Sequence, residues 1–152
     1  MKLNLSNASL RICVNEVVKG RISGMVFSQR LREPMPFSDI ASLLLQVEEL
    51  LDEQDFPRAF QRKRQFPAKQ GERPERGRAW RPPGELPEDE SRPYMALEAV
   101  EAAKGAIATF VIYIITRQNT SWQGKVDWLD GTEERFSSAL ELIYLIDERV
   151  AR

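Results

Sequence analysis

Two stretches of the chain, one near each end, alternate apolar and polar side chains in the manner of paired strands. In the first, Leu10, Ile12 and Val14 alternate with Arg11, Cys13 and Asn15, and the Lys19-Gly20 pair that follows supplies a hairpin turn. In the second, Phe110, Ile112 and Ile114 alternate with Val111, Tyr113 and Ile115. Both of its sides are apolar, which predicts a strand covered on two faces or lying at an oligomer contact. From position 122 onward, Trp122, Val126 and Trp128 fall on one face and Gln123, Lys125 and Asp127 on the other, which predicts a strand with one wet side.

A helical period follows each hairpin. Ser38 is placed to cap a run in which Ile40, Leu43, Leu44, Val47, Leu50 and Leu51 recur at helical spacing, with Pro36 just ahead and Pro57 closing the region. Ser137 or Ser138 can cap a second run carrying Ala139, Leu140, Ile143, Ile146 and Val150, with Leu142, Tyr144 and Leu145 widening the apolar arc. An arc that wide needs more than one neighbour, so the helices are expected to pack on the sheet and on each other, or one of them on a second subunit. YMALEAVEAAK, residues 94–104, reads as a short helix leading through Gly105 into the third strand.

The two stretches are also related to each other. Sliding residues 10–28 by 100 positions lays them without a gap on 110–128, pairing Ile12 with Ile112, Gly24 with Gly124 and Val26 with Val126. After a connection one residue shorter in the second copy, Phe37 falls on Phe136, Leu43 on Leu142 and Val47 on Ile146. The expected architecture is α+β: two ββα units in pseudo-twofold relation, sharing one antiparallel sheet of about four strands, with the helices mainly on one face. Residues 1–56 form the first unit, 57–92 an arm, and 93–152 the short helix and second unit of a single domain.

Composition narrows the chemistry. A chain of 152 residues, 42% hydrophobic and 30% charged, suits one globular domain. Its longest apolar stretch, FVIYII at 110–115, is far shorter than a membrane span and the N-terminus has no apolar signal core, so a cytoplasmic protein is expected. Cys13 is the only cysteine and there is no histidine, which removes internal disulfides, Ser-His and Cys-His nucleophile pairs and most zinc chemistry. The acidic pairs Glu48-Glu49, Asp52-Glu53 and Glu133-Glu134 sit where solvated helix faces or turns would place them. Gly20-x-x-x-Gly24 lacks the lysine and the following helix of a phosphate loop. A non-catalytic protein without metal or cofactor is expected.

The arm between the two units is of another kind. Residues 57–81 hold nine Lys or Arg against two Glu, with Phe60, Phe66 and Trp80 interspersed, whereas 82–92 is proline-rich and acidic. Arg58, Arg62, Lys63, Arg64, Arg73, Arg76, Arg78 and Arg81 would attract phosphate backbones, and Phe66 and Trp80 could stack on unpaired bases. The rest of the chain carries 13 basic against 21 acidic residues, so the arm's partner is expected to be nucleic acid, an acidic protein or the chain's own body. An arm of this length could also cross to a second subunit and join a homodimer.

Residues 117–124, RQNTSWQG, hold the second candidate site. Asn119-x-Ser121-x-x-Gly124 resembles a signature of the PilZ family, and Arg58-x-x-x-Arg62 formally supplies the RxxxR element that accompanies it. The resemblance implies a six-stranded barrel binding a cyclic dinucleotide, with Arg117, Asn119, Ser121 and Gly124 at the ligand. In that family the arginines lie shortly before the signature, and here they lie far ahead of it. Without a ligand, Asn119 is a turn former, Gly124 permits close backbone approach, and Trp122 belongs to the apolar face.

Overall fold

A computed structural model of the chain describes residues 1–60, 81–87 and 93–151. The fold is α+β. Its elements, in chain order, are β1 (Leu10–Val18), β2 (Arg21–Phe27), β3 (Met35–Phe37), α1 (Ile40–Gln54), β4 (Ala59–Phe60), α2 (Leu97–Ala102), β5 (Ala108–Gln118), β6 (Gln123–Asp127), β7 (Glu133–Phe136) and α3 (Ala139–Ile146), the last continuing into a π turn, Asp147–Ala151.

Six strands form one antiparallel sheet in the order β3-β2-β1-β5-β6-β7, and the two-residue β4 runs parallel to the end of β5. The path ends at β3 on one side and β7 on the other, so the sheet is open where the PilZ resemblance implies a barrel. Six strands also correct the expected count of about four. The additional pair comes from short segments taken as connections. Met35-Pro36-Phe37 contains a proline, which lacks a ladder donor and is at home on an edge strand, and Glu133-Glu134-Arg135-Phe136 is three charges before one anchor.

Alternation sets the core. Leu10, Ile12 and Val14 of β1, Val26 of β2, Phe37 of β3, Phe110, Ile112 and Ile114 of β5, Val126 of β6 and Phe136 of β7 are buried together with Leu43, Val47, Leu142 and Ile146 of the helices. Thus α1 and α3 cover the same sheet face. On the opposite face Cys13 and Val111 are buried and Tyr113 is half-buried beneath Lys125, while Ile115 is exposed. Arg11 Nε donates to Ala103 O at 2.7 Å, tying the segment after α2 to β1.

Pairing uses the same offsets in both halves. Ile12 faces Val26 and Val14 faces Gly24, as Ile112 faces Val126 and Ile114 faces Gly124, and the register then shifts by one residue between Val14 and Glu16 and between Ile114 and Thr116. At each shift a glycine is needed for space: a methyl group on Gly24 would collide with the Cys13 carbonyl, and one on Gly124 with that of Tyr113. The hairpin turns match as well, since Lys19, Gly20, Asn119 and Thr120 all take positive φ, the conformation of two-residue type I′ turns. Across the centre, Leu10 faces Ile112, Arg11 faces Val111 and Ile12 faces Phe110.

Helix starts are fixed by side chains. Asp39, one residue after the expected Ser38, accepts from the Ser42 amide at 2.7 Å, and the Ser42 hydroxyl completes a capping box. Ser138 accepts from the Glu141 amide at 3.1 Å. Among the described residues no helix is long and apolar enough to cross a membrane.

Parts of the expected arm are seated on the body. Leu86 N donates to Met1 O at 2.9 Å, Leu3 N to Gly84 O at 2.9 Å and Gly84 N to Gln54 O at 3.1 Å. Leu3, Ala8 and Leu86 form a second, smaller core flanked by Met1, Phe56 and Tyr94. Residues 57–60 leave α1 along β5 through β4.

Candidate functional site at the base of the basic segment

The residues that flank the basic segment meet at the C-terminal end of α1: Gly84 N donates to Gln54 O at 3.1 Å, and two buried arginines hold Phe56 and Pro57. The bulge in β5 inserts one residue into the alternation, so Arg117, and not Thr116, continues the buried face toward α1. Arg117 is 4% exposed. Its Nε donates to Pro57 O at 2.6 Å, its Nη1 to Asp52 Oδ1 at 2.6 Å, and its Nη2 to Leu51 O at 3.3 Å, while Glu48 Oε1 lies 3.6 Å from Nη1. Trp122, across the hairpin from Arg117, donates its Nε1 proton to Glu48 Oε2. One cluster therefore joins β5, the residue leading into β6, α1 and the segment that follows the helix cap.

Arg30, in the loop after β2, performs the same task on the other side. It is 1% exposed, and donates from Nε to Gln54 Oε1 at 2.7 Å, from Nη2 to Phe56 O at 2.6 Å and from Nη1 to Ala8 O at 3.4 Å. Gln54 Nε2 returns a bond to Arg30 O at 2.9 Å. Burial, reinforced by the nearby Arg117 charge, pushes the Arg30 guanidinium down to about 10. The last turn of α1 has no basic residue of its own. One arginine from the loop after β2 and one from the end of β5 supply the positive charge that a helix C-terminus favours, and they bind the Phe56 and Pro57 carbonyls just beyond it.

Sequence reasoning named Arg117 for a different reason and missed Arg30 and Gln54. Nothing in the irregular SQRLREP stretch marks Arg30 as buried. Of the arm candidates, Arg58 is exposed and pairs with Asp55 at 3.5 Å, and Arg81 is exposed. Arg62, Lys63, Arg64, Phe66, Arg73, Arg76, Arg78 and Trp80 lie outside the described residues.

The residues of the RQNTSWQG stretch face different surroundings. Arg117 faces α1, Asn119 is exposed in the β5–β6 turn, and Ser121 Oγ accepts from the Ala139 amide at 2.8 Å at the start of α3. Gly124 is buried between strands. Each has a partner or a conformational task within the fold.

No protein-family model matches the chain, and neither a curated protein nor a solved structure shows a significant similarity to it.

Proposed function

We propose that this is a non-catalytic binding or regulatory protein, an α+β scaffold that presents the basic segment 57–81 to an anionic partner, nucleic acid or acidic protein. The observation that supports this reading is the anchoring of the residues that flank the segment at one place. Phe56 and Pro57 are held by Arg30 and Arg117, and Gly84 is bonded to Gln54 three residues before Pro57. The described residues on either side of the segment thus lie close together at the end of α1, which favours a single charged feature over a linker between separable halves. A cyclic-dinucleotide sensor built on RQNTSWQG has less support, because Arg117 and Ser121 already serve α1 and α3. A cytoplasmic setting fits the unpaired, buried Cys13.

The scaffold itself we read as two ββα units in pseudo-twofold relation, each with a short third strand. The support is the offset of 100 shared by the strand registers, the bulges and the turns, together with the offset of 99 that relates Phe37 to Phe136, the cap Asp39 to Ser138 and Val47 to Ile146.

Filter-binding titrations of the intact protein against mixed RNA and DNA at two salt concentrations test the partner. Binding that weakens steeply with salt is the expected result for a nucleic-acid partner. Its absence at both concentrations removes nucleic acid and leaves acidic protein, to be identified by copurification.

A further inference from the structure

We propose that the cavity between the start of β2, the start of α1 and the end of α3 binds one small planar aromatic molecule carrying an N–H donor, of the size of indole. The inference rests on the duplicated reading of the scaffold. The cavity measures about 140 Å³ and its lining includes Ile22, Ile40, Ile143, Ile146, Asp147 and Ala151. Aliphatic cavities of about 150 Å³ stay dry and admit a ring the size of benzene, whereas pockets for larger ligands run to roughly 300 to 1,000 Å³.

What identifies the occupant is the other half of the molecule. Adding 100 on the strands and 99 on the first helix carries Ile22 to Trp122, Val17 to Arg117, Ile40 to Ala139, Val47 to Ile146, Glu48 to Asp147 and Asp52 to Ala151. Val17 and Ile22 face each other in the β1–β2 ladder just beyond the bulge. In the second half this position holds the Trp122 indole, whose N–H is received by Glu48, and the Arg117 guanidinium bonded to Asp52. In the first half two aliphatic side chains stand there, both smaller than their counterparts. The volume that an indole fills on one side is the cavity on the other, and a carboxylate, Asp147, lines it at the position that corresponds to Glu48.

The chemistry of the walls selects within aromatic compounds. Four isoleucines favour an uncharged ring and give its faces an apolar contact. Asp147 offers an acceptor that favours a ring N–H over a ring without a donor, and the apolar walls disfavour a charged carboxylate substituent. The expected order of affinity is therefore indole, then N-methylindole, then indole carboxylate.

Amide NMR titration of the full chain with these three compounds tests the proposal. The expected result is saturable binding of indole with shifts at Ile22, Ile143 and Asp147, binding of N-methylindole weaker by roughly tenfold, and none by the carboxylate. The Ile22→Trp variant fills the cavity from within, and is expected to keep or raise the melting temperature and to lose indole binding. Absence of saturable indole binding to the wild type overturns the ligand, as does equal affinity for indole and N-methylindole. If indole fails to bind while Ile22→Trp retains its melting temperature, the duplicated scaffold survives that failure. A marked loss of stability in Ile22→Trp alongside no indole binding removes both.

Discussion

Arg117 Nη1 lies 2.6 Å from Asp52 Oδ1, joining the end of the central strand β5 to the last turns of α1 across 65 positions of chain. The two partners are unequal. The arginine is buried and the aspartate is largely exposed, so the pair's Coulomb energy is screened on one side and the arginine's bond to Pro57 O is what the fold cannot replace. Arg117→Met is expected to cost about 2 kcal/mol because it leaves the buried Pro57 carbonyl without that donor. Asp52→Asn is expected to cost no more than about 1 kcal/mol. Urea unfolding of both variants checks the difference, and equal losses would mean that the ion pair, not the carbonyl bond, holds the cluster.

The tryptophans of β6 and its flank separate packing from hydrogen bonding. Trp122 and Trp128 are buried on the same face, Trp122 donating to Glu48 and Trp128 to Glu134 at 3.0 Å, with the Phe110 ring 5.2 Å from that of Trp128. Replacing either with alanine is expected to cost about 3 to 5 kcal/mol. Trp122→Phe keeps most of the apolar contact and gives up the bond to a half-exposed carboxylate, so about 1 to 2 kcal/mol is expected. Thermal melts of the three variants decide whether burial is the dominant contribution.

The strongest features of the pattern are legible in the sequence itself: the alternation of β1, the one-sided β6, and the helical stripes of α1 and α3. They are long, and their periods differ. What could not be read falls into two physical classes. Met35–Phe37 and Glu133–Phe136 are too short to show a period, and acquire strand conformation only because a neighbouring strand offers a ladder. Arg30 and Arg117 are buried because their donors meet carbonyls that come from distant parts of the chain, a match that local composition does not encode. The seating of 81–87 on the N-terminal residues escaped for the same reason. The candidate site on RQNTSWQG drew on real constraints, but Ser121 and Gly124 have tasks in joining β6 to α3 and β5.

Gly24 and Gly124 offer a test of the close approach at the bulges. A Cβ at either position would meet a carbonyl oxygen of the neighbouring strand, a main-chain atom that cannot move without displacing the ladder. Alanine at either glycine is expected to destabilise by on the order of 3 kcal/mol, and by similar amounts at the two sites. Alanine at Gly20, whose surroundings are open but whose φ is positive, is expected to cost about 1 kcal/mol. Denaturant midpoints for the three variants would contradict this ranking if Gly20→Ala proved the most harmful.

Burial raises the Cys13 thiol above its ordinary value, more than the Arg11 charge lowers it. The folded chain therefore keeps a proton that the unfolded chain releases, and the stability this contributes is constant below the usual thiol range and declines as pH rises through it toward the raised folded value. Cys13 is expected to resist a thiol reagent at neutral pH until denaturant is added, and Cys13→Val to flatten the alkaline fall in stability. Stoichiometric labelling of the native protein would contradict the burial.

Limited trypsin digestion tests the coupling of the two halves. Seven Lys or Arg lie between residues 61 and 80, and the composition reading places the first cuts among them. A chain severed there has β1, β2, β3, α1 and β4 on one fragment and α2, β5, β6, β7 and α3 on the other. The pieces share the β1–β5 ladder, the β4–β5 pairing and a core to which both contribute. Arg117 would still hold Pro57 and Asp52, and Gly84 would still bond Gln54. The nicked protein is therefore expected to elute from size exclusion at the volume of the intact chain and to separate into two bands only on denaturing gels. Arg117→Met should loosen this association, because that residue belongs to one fragment and its carbonyl partners to the other. Fragments that part in native buffer and retain structure separately would show that each half is an independent domain and that the central ladder contributes little to holding them together.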